Sequence, residues 1–278
     1  MSNALGDYLR ARRAQVSPDA VGMPRGRRRV AGLRREELAV LAGVSPDYYT
    51  RVEQGRDRNP STQVLDAIGR VLRLDGEAMA HLHELGRAAA GAPTAAPGLD
   101  DEVPDGLRSW LRQLPFPAFV QDRVMTVVAA NSLAAALSPH FTVGTNLVRA
   151  VFLDPGARTL HADWERASQE AVSGLRSLAG ARLDDPALTS LVDELGAASP
   201  RFRALWERQD VRAKVGGTSE WVHPDVGAMT LGFEKLAVNG SDGHLLVVYH
   251  AEPGTPSHDA LQRLVPADPE HPSSPARG

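Results

Sequence analysis

The chain of 278 residues has no cysteine. That excludes disulfides and every thiolate metal site, and it fits a reducing compartment. Lysine is almost absent too. Lys214 and Lys235 are the only two, so the other 29 of 31 basic residues are arginine. With the heavy use of alanine, this reads as the mark of a GC-rich genome. No apolar run approaches the roughly 18–20 residues needed to span a bilayer. The first residues, MSNALGDYLRARR, lack an apolar core followed by a cleavage site, so they are not read as a secretory signal. A soluble, cytoplasmic protein is expected. Also missing are GxGxxG, the P-loop, GxSxG and HExxH. His81 and His83 lie two apart on a predicted helix and make a poor metal pair. His223 and His250 fall near strand ends, and nothing in the sequence pairs them with an activating carboxylate. No catalytic residue, metal site or cofactor is therefore expected.

What is present is unevenly distributed. The net charge is −3. Residues 1–90 hold 15 arginines and 11 acidic residues, for +4, and residues 91–278 carry −7. The excess is tightest in residues 1–58, with 12 arginines against 7 acids. Halves of opposite sign suggest that one meets a polyanion and the other does not. The plain alternative is a chance fluctuation of a few charges.

At roughly 100–200 residues per domain, the length suits two domains. The stretch 91–103 begins GAPTAAPG and turns acidic, so it reads as a linker. Residues 266–278 hold several prolines and little to bury, so they read as a disordered tail. Before the linker the periodicity is helical. Leu5, Tyr8, Leu9 and Val16 form one face of a first helix, and residues 18–32 read as an Arg-rich loop. A second helix is expected over 34–42, stopped by Gly43. A third is expected over 46–54, capped by Ser45 and stopped by Gly55. A fourth follows Ser61, with Val64, Leu65, Ile68, Val71 and Leu72 inward. A fifth covers 75–90, with Met79, Leu82 and Leu85. These make an all-α domain, residues 1–90.

After the linker, residues 107–114 read as a short helix. Strands are expected at 115–121 and 124–130, joined by a tight turn at Asp122-Arg123. Asn131 caps a helix over 133–137. A long helical region fills 155–212, broken near 180–186 and at Ser199-Pro200. Strands at 217–223, 228–238 and 245–250 close the domain, the last central because it is β-branched and apolar. The overall class is α+β with two domains. The second, residues 104–256, carries an antiparallel sheet with helices on one face.

The informative window runs from Leu33 to Gly55. Ala39 is small where two helices must cross, Gly43 sits at the turn and Val44 plugs the corner. Tyr49 and Val52 face the first helix. This arrangement lets a second helix enter a major groove. The window resembles the phage-repressor-like (XRE-type) helix-turn-helix family, with Glu-Leu-Ala, Ala-Gly-Val-Ser and Glu-Gln-Gly at the family spacing over residues 3–75. The resemblance implies binding to double-stranded DNA, as a homodimer on a near-palindromic operator.

Pro46, Asp47, Tyr48, Thr50, Arg51 and Gln54 are not needed for the core, so they are the candidates for base contacts. Arg51 suits a guanine and Thr50 a thymine methyl. Asp47 has two readings. It accepts from a cytosine amino group, or it only favours the helix N-terminus. In the family a polar side chain near the start of the second helix holds a phosphate; here that position is Arg35, beside Arg34. Arg27, Arg28, Arg29, Arg56 and Arg58 in flanking loops complete the phosphate candidates.

The second domain resembles that of the MmyB-like regulators. The resemblance rests on Leu114-Pro-Phe-Pro-Ala-Phe-Val120, Ala130-Asn131, Asn146-Leu147, Phe152-Leu-Asp-Pro155, Asp163-Trp-Glu165, the stretch 206–212, the strand 246–249 and Glu252-Pro-Gly254. Gln209 departs from it, since histidine is expected there. The resemblance implies a PAS-like sheet with helices around a cavity for a fatty acid or other lipophilic molecule. Phe119, Asn131, Phe152, Trp164, Trp206, Arg212, His223 and Tyr249 are the candidate pocket residues, and Arg149 is a further candidate anchor. The bland alternative is that the aromatic residues are ordinary core. Three functions stand side by side: a DNA-binding repressor that senses a lipophilic molecule, a DNA-binding regulator controlled by a protein partner, and an enzyme fused to a DNA-binding module.

Overall fold

The computed structural model describes residues 3–23, 32–91, 102–212 and 215–264. The candidates Arg27, Arg28 and Arg29, most of the expected linker and the expected tail lie outside the described residues. By contact the chain divides into two compact units. A helical unit joins residues 1–99 with 165–214, and a sheet unit joins residues 100–164 with 215–278. The helices of 165–214, read from sequence as part of the second domain, thus cluster with the N-terminal helices.

The helical unit opens with α1 (Ala4–Gln15), α2 (Arg35–Leu41), α3 (Pro46–Glu53), α4 (Thr62–Val71) and α5 (Gly76–Ala89). Short polar side chains set their starts. Asn3, Ser45, Ser61 and Asp75 each accept from a backbone N–H in the first turn of α1, α3, α4 and α5. At α2 the roles reverse, and the Glu37 carboxylate reaches back 2.8 Å to accept from the Arg34 N–H. The stretch 18–32 is not all loop, because Pro18–Val21 makes one 3-10 turn. Leu5, Tyr8, Leu9, Leu33, Leu38, Ala39, Tyr49, Val52, Leu65, Ile68, Leu82 and Leu85 are in the core, whereas Val64, Val71 and Met79, expected inward, are only partly buried against it. Val211 is buried in that same core. α1 and α3 approach so closely that a Cβ on Gly6 would stand 2.0 Å from the Glu53 carbonyl oxygen.

The later helices are α10 (Trp164–Ala179), α11 (Pro186–Ala198) and α12 (Pro200–Glu207), with the breaks expected near 180–186 and at Ser199. The helical run also breaks at 161–163, where His161 bridges to Trp221 instead.

The sheet unit holds α6 (Asp105–Gln113), β1 (Ala118–Gln121), β2 (Val127–Ala130), α7 (Ser132–Leu137), α8 (Leu147–Leu153), α9 (Pro155–Leu160), β3 (Gly216–His223), β4 (Gly227–Ala237), β5 (Leu245–His250) and α13 (Pro256–Arg263). The five strands are antiparallel in the order β2-β1-β5-β4-β3, with β5 central as expected. The first two strands are shorter than read from sequence. Pro115 and Pro117 carry no N–H for a ladder. The connection is wider than a two-residue turn, because Asp122 accepts from both Val124 and Thr126 and Met125 takes φ +64°.

Helices cover both faces of the β1–β5 region rather than one. Phe119 faces a core shared with α7, α9 and α13, whereas its neighbours Ala118 and Val120 face Leu111, Leu107 and Leu114. Strand residues buried on both faces need a cover on both sides. The helices α8 and α13 were not anticipated. For α13 the signal was present, since Thr255 accepts from His258 and Pro256 opens the first turn.

Candidate nucleic-acid interface and sensor residues

Burial divides α3 lengthwise. Tyr49, Val52 and Glu53 are buried, at i, i+3 and i+4. Pro46, Asp47 and Gln54 are exposed, and Tyr48, Thr50 and Arg51 are half-buried on the remaining surface. The turn before it matches its residues: Gly43 takes φ +69°, and Val44 N–H donates to the Ala39 carbonyl at 3.0 Å. All six base-contact candidates therefore lie outside the buried stripe, although Tyr48, expected to be unneeded for the core, also packs against it. Asp47 pairs with Arg51 one turn on, and the Arg51 guanidinium lies 5.7 Å from the Tyr48 ring centroid. Asp47 thus has a third role beside the two read from sequence: it holds the guanidinium on the outer face.

The phosphate candidates separate. Arg34 and Arg56 are exposed, and Arg58 is exposed with its Nε 3.4 Å from the Gly55 carbonyl. Arg35 turns inward instead, its Nε donating to Glu53 at 2.9 Å. Glu53 is fully buried and also accepts two hydrogen bonds from Arg13, both at 3.1 Å. Burial alone would raise the Glu53 carboxyl, but the bonds from Arg13 and Arg35 outweigh it and hold it below its ordinary range. Sequence reasoning missed this group. The signal was the helical spacing, which puts residue 53 on the same side as Tyr49.

The sensor candidates do not form one cluster. In the sheet unit, Phe119 and Tyr249 belong to an aromatic set with Phe141 and Trp221. Ring centroids are 4.5 Å apart for Phe119–Phe141 and 5.4 Å for both Phe141–Tyr249 and Trp221–Tyr249. Asn131 is a structural clasp. Its amide oxygen accepts from Ala118 and Ala134, and its nitrogen donates to Phe116 and Leu111. His223 bridges Ala136 and Asp225, with Nδ1 accepting from the Asp225 N–H at 3.1 Å. Phe152 and Trp164 meet edge to face, the indole N–H donating to Val151 at 2.8 Å. Arg149 lies exposed on α8. Trp206 and Arg212 fall in the helical unit, where Trp206 stacks on Arg176 and Arg212 is exposed.

No helix among the described residues is long and apolar enough to cross a membrane. No group of three or more histidine or acidic side chains among them is disposed to hold a metal ion.

A helix-turn-helix with a polar outer face, followed in the chain by an antiparallel sheet module, defines a class: DNA-binding regulators that carry a ligand-responsive domain. Comparison with known families agrees. Residues 4–82 match a helix-turn-helix domain, and residues 103–264 match the MmyB-like transcription regulator ligand binding domain. The second match covers more than half of the chain, and the chain belongs to the MmyB-like transcription regulator family. It is a DNA-binding transcription regulator with a ligand-sensing C-terminal region. No curated protein matches the chain.

Proposed function

We propose that the protein is a repressor acting as a homodimer on a near-palindromic operator, in the cytoplasm, and that a fatty acid or similar lipophilic molecule sets its affinity for DNA. The observation that carries the DNA half is the outer face of α3. Pro46, Asp47, Tyr48, Thr50, Arg51 and Gln54 lie together there, above a buried Tyr49 and Val52. In this reading they meet base edges, while Arg34, Arg56 and Arg58, with Arg27, Arg28 and Arg29, meet phosphates. Arg35 contributes once DNA competes with Glu53. One such module touches too few base pairs to select a site in a genome, which favours two half-sites about one helical turn apart. The ligand acts by preferring one arrangement of the dimer, and tens-fold modulation needs only about 2 kcal/mol.

Genome-wide mapping of bound sites tests the whole reading, and the genes beside those sites narrow the ligand. Enriched two-fold motifs that lose occupancy when the lipid is supplied are expected. Single asymmetric half-sites bound by a monomer overturn the dimer. On a purified operator, Arg51→Ala should weaken binding by about 1–3 kcal/mol and relax specificity at one position. With six arginines on phosphates, affinity should fall with salt at a log–log slope of about −5.

A second reading is control by a protein partner. It is favoured by the mutual packing of Phe119, Phe141, Trp221 and Tyr249, which is the packing of a filled core.

A further inference from the structure

Within the helical unit, α1 and the helices α10 to α12 border a cavity of about 200 Å³. Its walls are mixed. Leu183, Leu188, Val192 and Trp206 supply apolar surface, and Thr189 and Gln209 supply neutral polar groups. Asp7 lies at its border, half-exposed and bonded to Arg10.

Ala4 and Arg176 complete the lining, and Arg176 is only 1% exposed. One terminal nitrogen donates to the Trp206 carbonyl at 2.7 Å, and the guanidinium stacks 3.7 Å from the Trp206 ring centroid. Its Nε–H finds no acceptor among the described residues. Asp210 acts on it electrostatically but is paired with Arg12 and Arg208. A buried guanidinium with an unused donor and no ion pair among the described residues is costly, and proteins seldom keep one so. Burial holds its pKa down to about 10, so it remains a cation at neutral pH.

We propose that this cavity binds a small amphiphilic carboxylate, whose charged end pairs with Arg176 and whose apolar part lies along Leu183, Leu188, Val192 and Trp206. The inference rests on reading the chain as ligand-responsive, and it puts the ligand in the helical unit rather than among the sheet aromatics. The volume is below the roughly 300–1,000 Å³ of sites for drug-sized molecules. A single-ring or medium-chain acid fits it, and a long acyl chain does not.

The site is wired to the DNA-binding helices. Gln209 lines the cavity, and the next residues leave it for α1. Asp210 pairs with Arg12 at 2.6 Å, and Val211 is buried beside Tyr8 and Leu9. Gln15 donates to the Arg208 carbonyl. α1 is in turn tied to α3 through Asn3, whose amide donates to the Glu53 carbonyl at 2.8 Å, and through Arg13. A ligand that favours one placement of residues 208–212 therefore acts on the recognition helix through α1.

The test is titration of the full chain with octanoate and with benzoate, read by calorimetry and tryptophan fluorescence, with octylamine as the cationic control. At least one acid should bind saturably and one-to-one, and octylamine should not. Arg176→Met should weaken binding by at least about tenfold. Arg203→Ala, an exposed arginine on α12, should leave it within about threefold. If Arg176→Met fails to fold, Thr189→Trp on the exposed rim fills the cavity and carries the same expectation. Failure of both acids to bind the folded wild-type protein overturns the proposal, and so does binding that survives both substitutions. These titrations contain no DNA, so their failure leaves the operator reading standing, and failure of the operator mapping leaves a measured Arg176 site standing.

Discussion

The outer face of α3 and the inner face of the sheet answer to opposite physics. On α3 the candidate residues are those left outside after Tyr49 and Val52 enter the core. Their availability to a partner follows from the helical period alone. On the sheet the candidate residues are inside, and burial there serves a core and a pocket equally. Phe119, Asn131, His223 and Tyr249 each have protein partners already. A surface site can thus be recognised by what the core rejects, whereas an interior site needs evidence of unused space or unused bonding.

Phe119→Ala is the strongest challenge to that contrast. If the aromatic set is core, the substitution should cost the sheet unit about 3–5 kcal/mol in chemical denaturation. A cost well below that would mean the ring faces open space, and the sheet would regain its claim to the ligand. Next is Glu53→Gln, which leaves Arg13 and Arg35 facing a neutral amide in a buried place. It should destabilise the helical unit by about 2–4 kcal/mol, although residue 53 offers nothing to DNA. Equal losses of stability and operator affinity would support α3 as a rigid platform held from beneath.

Acid separates the units by a smaller amount. Burial, with help from Arg176, holds His81 down to about 4, against 6.5 when unfolded. The unfolded chain therefore takes up that proton first, and stability is lost as the pH falls from 6.5 toward 4. Between pH 7 and pH 5 the loss should be about 2 kcal/mol, and His81→Phe should remove it. The depressed carboxyl of Glu53 adds its own loss only lower, below the ordinary carboxylate range. Urea titrations across pH measure both. Smallest is Gly43→Ala. The position has φ +69° and nothing among the described residues within 4 Å of an added Cβ, so the penalty is conformational. About 1 kcal/mol is expected in thermal melts, with the face of α3 unaltered.

Much of the fold was legible in the residues. Ser45-Pro46, Ser61 and Asn131 start helices where a short side chain can accept an orphan N–H. The apolar run 245–250 lies at the centre of the sheet. Other features were not legible. The helix α13 is short and begins beside a proline-rich end, which concealed its cap. The inward turn of Arg35 depends on Glu53, 18 residues away. The eight sensor candidates rest on residue type and on the family resemblance, and neither says which unit a residue will join; Trp206 and Arg212 joined the helical one.

The amino-acid sequence determined the helix-turn-helix, its outer face and the α+β order of the second half. Caps, turns and periodicity act within a few residues and need no distant partner. Contacts between remote segments were settled by folding alone. The pairing of Arg12 with Asp210 spans 198 positions, Val211 enters a core built from the other end of the chain, and Arg176 is buried beside a cavity with its Nε–H unpaired among the described residues. Such pairings depend on how whole helices pack, and no local pattern encodes them.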